Sequence, residues 1–166
     1  MQNFSEIQAL MKSDMEKTDE ILIDRLNSNV DLINQMSHYI IASGGKRLRP
    51  LLLLLSARAT KYTGTDHHAM AVVIELIHTA TLLHDDVVDE STTRRGQDSA
   101  NELWGNAPSV LVGDFLYSRA FEIMVEPNSM AIMRILSKAT NQGKSLENKL
   151  CSFSTTKSSS VSRDPT

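Results

Sequence analysis

Cysteine is almost missing from this 166-residue chain. Cys151 stands alone, which excludes an intramolecular disulfide and a zinc cluster of the cysteine kind and suits a reducing, cytoplasmic setting. A basic excess is missing too. The 17 Lys and Arg against 20 Asp and Glu leave a formal net charge of -3, so no field exists to neutralise a nucleic-acid backbone and nucleic acid is not an expected partner. Long apolar runs are absent: stretches such as Leu51 to Leu55 fall far short of the ~20 residues a membrane span requires. Residues Met1 to Glu20 carry charge throughout and have no apolar h-region, so no signal peptide is expected.

Chain breakers are scarce as well, with only 7 Gly and 4 Pro, and strand signals are weak. What is present is apolar spacing of three and four residues, which predicts an all-α fold. Helices are expected over about Ser5–Leu26, Val30–Ile41, Pro50–Lys61, His67–Asp89, Pro108–Met124 and Ser129–Asn141. Pro50 suits a first helical turn, where a missing N–H costs nothing. Thr65 or Asp66 suits the N-cap of the longest helix. The segment Glu90–Gly96 reads as a polar loop closing on glycine.

The strongest chemical signal is His84-Asp85-Asp86-Val87-Val88-Asp89-Glu90 at the C-terminal end of an apolar helix. Positions i and i+4 share a helix face, so Asp85 and Asp89 project together. Carboxylates this close repel one another, and the negative end of the helix dipole is the wrong end for them. Cations would relieve both problems, and hard oxygen ligands point to Mg²⁺ held jointly with substrate phosphates. The competing reading is a solvated acidic helix end.

Two basic groups shift that balance. Arg94 and Arg95 follow within a few residues, and arginine forks match diphosphate oxygens bidentately. Gly44-Gly45-Lys46-Arg47-Leu48-Arg49-Pro50 forms a glycine-loosened loop at a helix start, where backbone N–H groups favour an anion. Plain salt bridging and an ordinary basic surface loop are the alternatives. A lone helical histidine is more often a satisfied core residue, but His78 lies two turns before Asp85 on roughly the same face, which makes a phosphate contact the better reading. One metal cluster and two anion clusters suggest two phosphorylated substrates.

In this order and spacing, Gly44–Pro50, His78, Asp85–Asp89 and Arg94–Gly96 resemble the trans-isoprenyl (polyprenyl) diphosphate synthase family, particularly its bacterial octaprenyl and related long-chain members. The resemblance runs to about Asn141. It implies an isoprenoid-synthase-type antiparallel helical bundle and a Mg²⁺-dependent prenyltransferase. That enzyme would condense isopentenyl diphosphate with an allylic diphosphate such as farnesyl diphosphate into a long all-trans product of the ubiquinone side-chain type. By the same resemblance, Asp85, Asp86 and Asp89 hold Mg²⁺ against the allylic diphosphate. Lys46, Arg49, His78 and Arg95 hold isopentenyl diphosphate, and Arg94 the allylic diphosphate. Gly113-Asp114 resembles a further family motif, with Asp114 supporting rather than ligating. Ala80 and Thr81, five and four residues before Asp85, are small where short-product members carry a bulky aromatic, which implies a product of C20 or longer. A homodimer is implied for the full-length parent.

The family's second aspartate-rich motif, its Gly-Glu segment and its Lys-Thr motif are not found. After Gln142 the composition changes, and nine of the sixteen residues from Cys151 to Thr166 are Ser or Thr. The expectation is therefore a family region over 1–142, truncated to about six helices, followed by a disordered non-family tail over 143–166 that is either a truncation or a frameshift product. Little activity is expected of such a chain alone. A non-catalytic dimerisation or regulatory fragment is the first alternative. A terpene cyclase is the second, disfavoured because a cyclase has no second diphosphate for the Gly44–Pro50 loop to hold.

Overall fold

The computed structural model describes residues 4–43 and 45–141, so Gly44 and the expected tail over 143–166 lie outside the described residues. The chain divides into two units, 1–127 and 128–166. In the second, the described residues form one helix over 130–141. The first unit runs α1 (Phe4–Leu10), α2 (Lys12–Leu26), α3 (Asp31–Ala42), α4 (Leu48–Ala59), α5 (Asp66–Val88), β1 (Thr93–Arg94), β2 (Gln97–Asp98), α6 (Ala100–Trp104) and α7 (Asn106–Val125). The all-α expectation holds, with three additions. The first expected helix is broken at Met11 into α1 and α2. The polar loop contains a two-stranded antiparallel hairpin. A one-turn helix, α6, precedes Gly105, whose φ of 87° ends it before α7 begins.

Helix α5 is the axis of this unit and packs against α2, α4 and α7. Its Val73, Leu76, Ala80 and Leu83 are spaced by three and four residues, as are Val112, Leu116, Ala120 and Ile123 of α7, and all eight are buried. A second cluster of Met11, Leu51, Leu54 and Ala71, flanked by Ile7 and Met15, seats the N-terminal helices on α4 and α5. Pro50 enters α4 as its third residue rather than its first, still within the first turn where its N–H would have no partner. Thr65 does occupy the N-cap of α5, but its side chain makes no capping bond. Among the described residues no helix is long and apolar enough to cross a membrane.

Gly113 has a specific reason to be glycine. A Cβ there would lie 2.3 Å from His84 Nε2, so the missing side chain is what lets α5 and α7 approach with His84 between them.

The packing carries a quantitative consequence. Leu76 is 2% exposed and Leu52 is 61% exposed. Leu76→Ala is expected to cost about 2–5 kcal/mol, whereas Leu52→Ala stays within about 0.5 kcal/mol of the parent. Urea unfolding followed by circular dichroism measures both; equal losses at the two positions would contradict this core.

Candidate functional site

The acidic end of α5 is built by one ion pair. Asp86 is 3% exposed. Arg94 Nε donates to its Oδ2 at 2.7 Å and Arg94 Nη2 to its Oδ1 at 2.6 Å, a bidentate fork. The hydrogen bond to Asp86 raises the guanidinium pKa above its ordinary value. Asp86, expected beside Asp85 and Asp89 as a metal ligand, thus has both oxygens on Arg94, and Arg94, expected on the allylic diphosphate, has its fork on Asp86. Asp85 is half-buried and Asp89 exposed. One helical turn separates them, and the Asp89 backbone N–H still bonds the Asp85 carbonyl at 2.8 Å, so the i, i+4 face is intact. No basic residue occupies the last turn of α5 to offset these charges. The donor set, two carboxylates on one face at a helix C-terminus, fits a hard divalent cation such as Mg²⁺.

The hairpin then sends the two arginines in different directions. Arg95 and Gly96 both have positive φ, 54° and 79°, the pair of left-handed residues that a tight two-residue hairpin turn requires. Arg94, on the strand, turns back onto α5. Arg95, at the tip, lies against the backbone of Gly45: a Cβ on Gly45 would sit 2.4 Å from Arg95 Nη1. The hairpin base is held by Ser99 Oγ and Asn101 Nδ2, which both donate to the Ser91 carbonyl, at 2.6 and 2.9 Å.

On the far side of Arg95 lies an open cleft of about 400 Å³ lined by Gly45, Lys46, Arg49, Glu75, His78 and Arg95, among others. Four expected anion-binding residues, Lys46, Arg49, His78 and Arg95, therefore share one cavity. Arg49 Nη1 lies 2.9 Å from His78 Nε2. Arginine can only donate, so Nε2 accepts and the imidazole proton sits on Nδ1. Burial, with Arg49, Arg95 and Arg94 adding to it, lowers the His78 pKa to about 4. The ring is neutral near pH 7. Arg47 lines the same cleft but is ion-paired with Asp19, and its backbone takes the left-handed φ of 42° at the N-cap of α4.

Sequence reading passed over one residue, Glu75, and quoted another, His84, without giving it a role. Glu75 is a partly buried carboxylate in this basic cleft. Burial raises its pKa, opposed by Arg47, Arg49 and Arg95. A single acid inside the apolar stretch from Ala69 to Leu83 was the available signal. His84 is the other: its Nε2 lies 3.3 Å from the Val110 carbonyl and 3.5 Å from Asp114 Oδ1, which ties Gly113-Asp114 to the residue preceding Asp85. Of the expected chain-length positions, Ala80 is fully buried in the α5 core stripe. Thr81 is half-buried and donates to the Ile77 carbonyl at 2.9 Å.

The His78 shift has a definite sign. The unfolded chain takes up a proton near pH 6.5 that the folded chain refuses until about pH 4, so stability falls as pH drops through that window. Histidine-selective NMR titration should find one ring titrating near pH 4 and should lose it in His78→Gln; a His78 midpoint near 6.5 would contradict the buried, arginine-flanked environment.

Known proteins resemble this chain in sequence and fold. The polyprenyl synthetase family model matches residues 30–159. Octaprenyl diphosphate synthase of Escherichia coli K12 is 50% identical over 139 residues, covering 84% of this chain and 43% of its own length. The polyprenyl synthase of Caulobacter crescentus CB15, solved in complex with calcium and isoprenyl diphosphate, is 46% identical with a TM-score of 0.81 over 84% of this chain and 42% of that one. Decaprenyl diphosphate synthase of Rhodobacter capsulatus is 42% identical with a TM-score of 0.79, over 82% and 42%. The chain thus spans less than half the length of these three relatives. It belongs to the polyprenyl synthetase family.

Proposed function

We propose that this chain supplies one wall of a long-chain trans-prenyl diphosphate synthase site, the wall that holds two diphosphates side by side. The observation that carries the proposal is the divergence of Arg94 and Arg95. One hairpin anchors the carboxylate end of α5 through Asp86 and also completes the cationic cleft of Lys46, Arg49 and His78. An acidic face beside a basic cleft suits two anionic substrates of which one arrives with a cation. The calcium and isoprenyl diphosphate in the Caulobacter relative are ligands of that chemistry.

Asp85 and Asp89 would hold Mg²⁺, which when bound draws off the negative charge that develops on a departing diphosphate. The aspartate face orients the allylic diphosphate. Arg94 fixes Asp86 and so the course of the chain past Asp89. Lys46, Arg49 and Arg95 take the diphosphate of isopentenyl diphosphate, and His78, neutral, offers its Nδ1–H as a donor. In the condensation the allylic C–O bond breaks and the isopentenyl double bond attacks the resulting carbon. A proton is lost from the new chain, and diphosphate leaves. The electrostatic part of that catalysis is what these residues provide.

A long product is part of the proposal, supported by the small side chains at Ala80 and Thr81 and by the octaprenyl and decaprenyl relatives. So are a quinone side-chain destination, a homodimer of the longer polypeptide and a cytoplasmic setting, the last supported by the lone cysteine.

Isothermal titration of the chain with farnesyl diphosphate tests the reading. Binding is expected with Mg²⁺ and not with EDTA, and Asp85→Asn/Asp89→Asn should weaken it by at least about tenfold, about 1.4 kcal/mol. Equal affinity in EDTA, or no effect of the double substitution, would sink the proposed metal face. Absence of any diphosphate binding would favour a non-catalytic fragment.

A further inference from the structure

A second metal-ligating cluster lies at the opposite end of α5. From His68 to Asp85 is 17 residues along the helix, or roughly 25 Å at the helical rise, so the two groups are independent. Asp14 in the first turn of α2 and His67 and His68 in the first turn of α5 bring one ligand atom each within 4.8 Å of one another. His68 Nε2 is already 3.1 Å from Asp14 Oδ1, with the side chains 12% and 30% exposed. His67 stacks obliquely on His68, ring centroids 3.9 Å apart, and meets Tyr62 edge-on at 5.5 Å.

His67 adds a third donor to the hydrogen-bonded pair of His68 and Asp14. Its Nδ1 is shielded from solvent and meets no partner at full hydrogen-bond geometry, with the Gly64 backbone beside the ring. We propose that Asp14, His67 and His68 form a binding site for a borderline divalent transition-metal ion of the Zn²⁺ type, which clamps the start of α5 to α2. Two imidazoles and one carboxylate are the donor set such an ion takes, with water completing a tetrahedron; Mg²⁺ prefers all-oxygen surroundings. Zinc–ligand bonds of about 2.0–2.1 Å place neighbouring ligand atoms about 3.4 Å apart, close to the present spacing of 4.8 Å or less.

The surroundings suit a neutral, ligating histidine. The His67 pKa is lowered, first by burial and then by His68, against the opposing pull of Asp14 and of a backbone bond at Gly64; Lys17 lowers it further. Metal and proton compete for the same lone pair, so a ring that resists protonation is ready to ligate. Asp66, the other acid in this turn, accepts from the Tyr62 hydroxyl at 3.1 Å and is not needed as a ligand.

Zinc titration of the tag-free chain by calorimetry, with Co²⁺ absorption as the spectroscopic reporter of tetrahedral nitrogen–oxygen ligation, decides the matter. One Zn²⁺ per chain is expected at a dissociation constant below roughly 10 µM. His67→Gln/His68→Gln should weaken it about 100-fold or more, whereas Asp85→Asn/Asp89→Asn leaves it unchanged. Zn²⁺ should also raise the thermal midpoint of the parent and not of the histidine variant. If the double histidine variant loses its helical circular dichroism, Asp14→Asn replaces it and should remove the Co²⁺ spectrum. Stoichiometric Zn²⁺ binding that survives these substitutions, or none in the parent, overturns the site.

Discussion

The bidentate grip of Arg94 on Asp86 is the contact on which the candidate site depends. Asp86 is 3% exposed at the C-terminal end of α5, a place where a lone carboxylate would be costly both for its desolvation and for its position on the helix dipole. The arginine that relieves this cost comes from the hairpin, eight residues on. Satisfying Asp86 therefore ties the hairpin to α5. With the hairpin tied, its turn residue Arg95 is delivered to Gly45, and the cationic cleft closes around Arg49 and His78. A single buried charge thus organises both halves of the site.

The two halves are held apart by the same device. If both arginines leaned on the aspartates, the acids would be neutralised within the polypeptide and no cation would be needed. One guanidinium makes its fork with Asp86 and also feels the charges of Asp85 and Asp89, while the last turn of α5 supplies no basic residue of its own. The other guanidinium joins a cluster in which burial first, and then the surrounding positive charge, keeps His78 neutral. Glu75 adds a carboxyl to that cluster; burial raises its pKa and the neighbouring arginines oppose the rise. Repulsion among like charges is tolerable in each half because an ionic ligand of opposite sign would relieve it.

The helices were legible because their apolar spacing is long and regular: α5 and α7 could be read to within a few residues. The shared helix face of Asp85 and Asp89 could also be read, since helical spacing alone places it; the expected basic loop is shorter than read, because Leu48, Arg49 and Pro50 already belong to α4. What could not be read depends on backbone turns or on distant partners. Arg94 and Arg95 are adjacent and chemically identical, and only the two left-handed residues of the turn decide which goes where. Asp86 looks like its neighbours in the sequence and differs from them only in facing inward. α6 has five residues, too few for a periodic signal. The pairing of His68 with Asp14 spans 54 residues and follows from the packing of α2 on α5, which no local pattern announces.

The central claim of the proposal is a division of labour among three neighbouring carboxylates: Asp86 anchors the hairpin, while Asp85 and Asp89 would face a cation. Comparing Asp86→Asn with Asp89→Asn in two assays, urea unfolding and Mg²⁺-dependent farnesyl diphosphate binding, tests it most directly. Arg94 keeps a third of its side chain in solvent, so Asp86→Asn should destabilise the fold by about 1–3 kcal/mol, less than a fully buried broken pair would cost. Asp89→Asn should leave stability within about 0.5 kcal/mol and remove most of the Mg²⁺ dependence. An Asp86→Asn chain as stable as the parent, with Asp89→Asn binding diphosphate unchanged in Mg²⁺, would contradict the account.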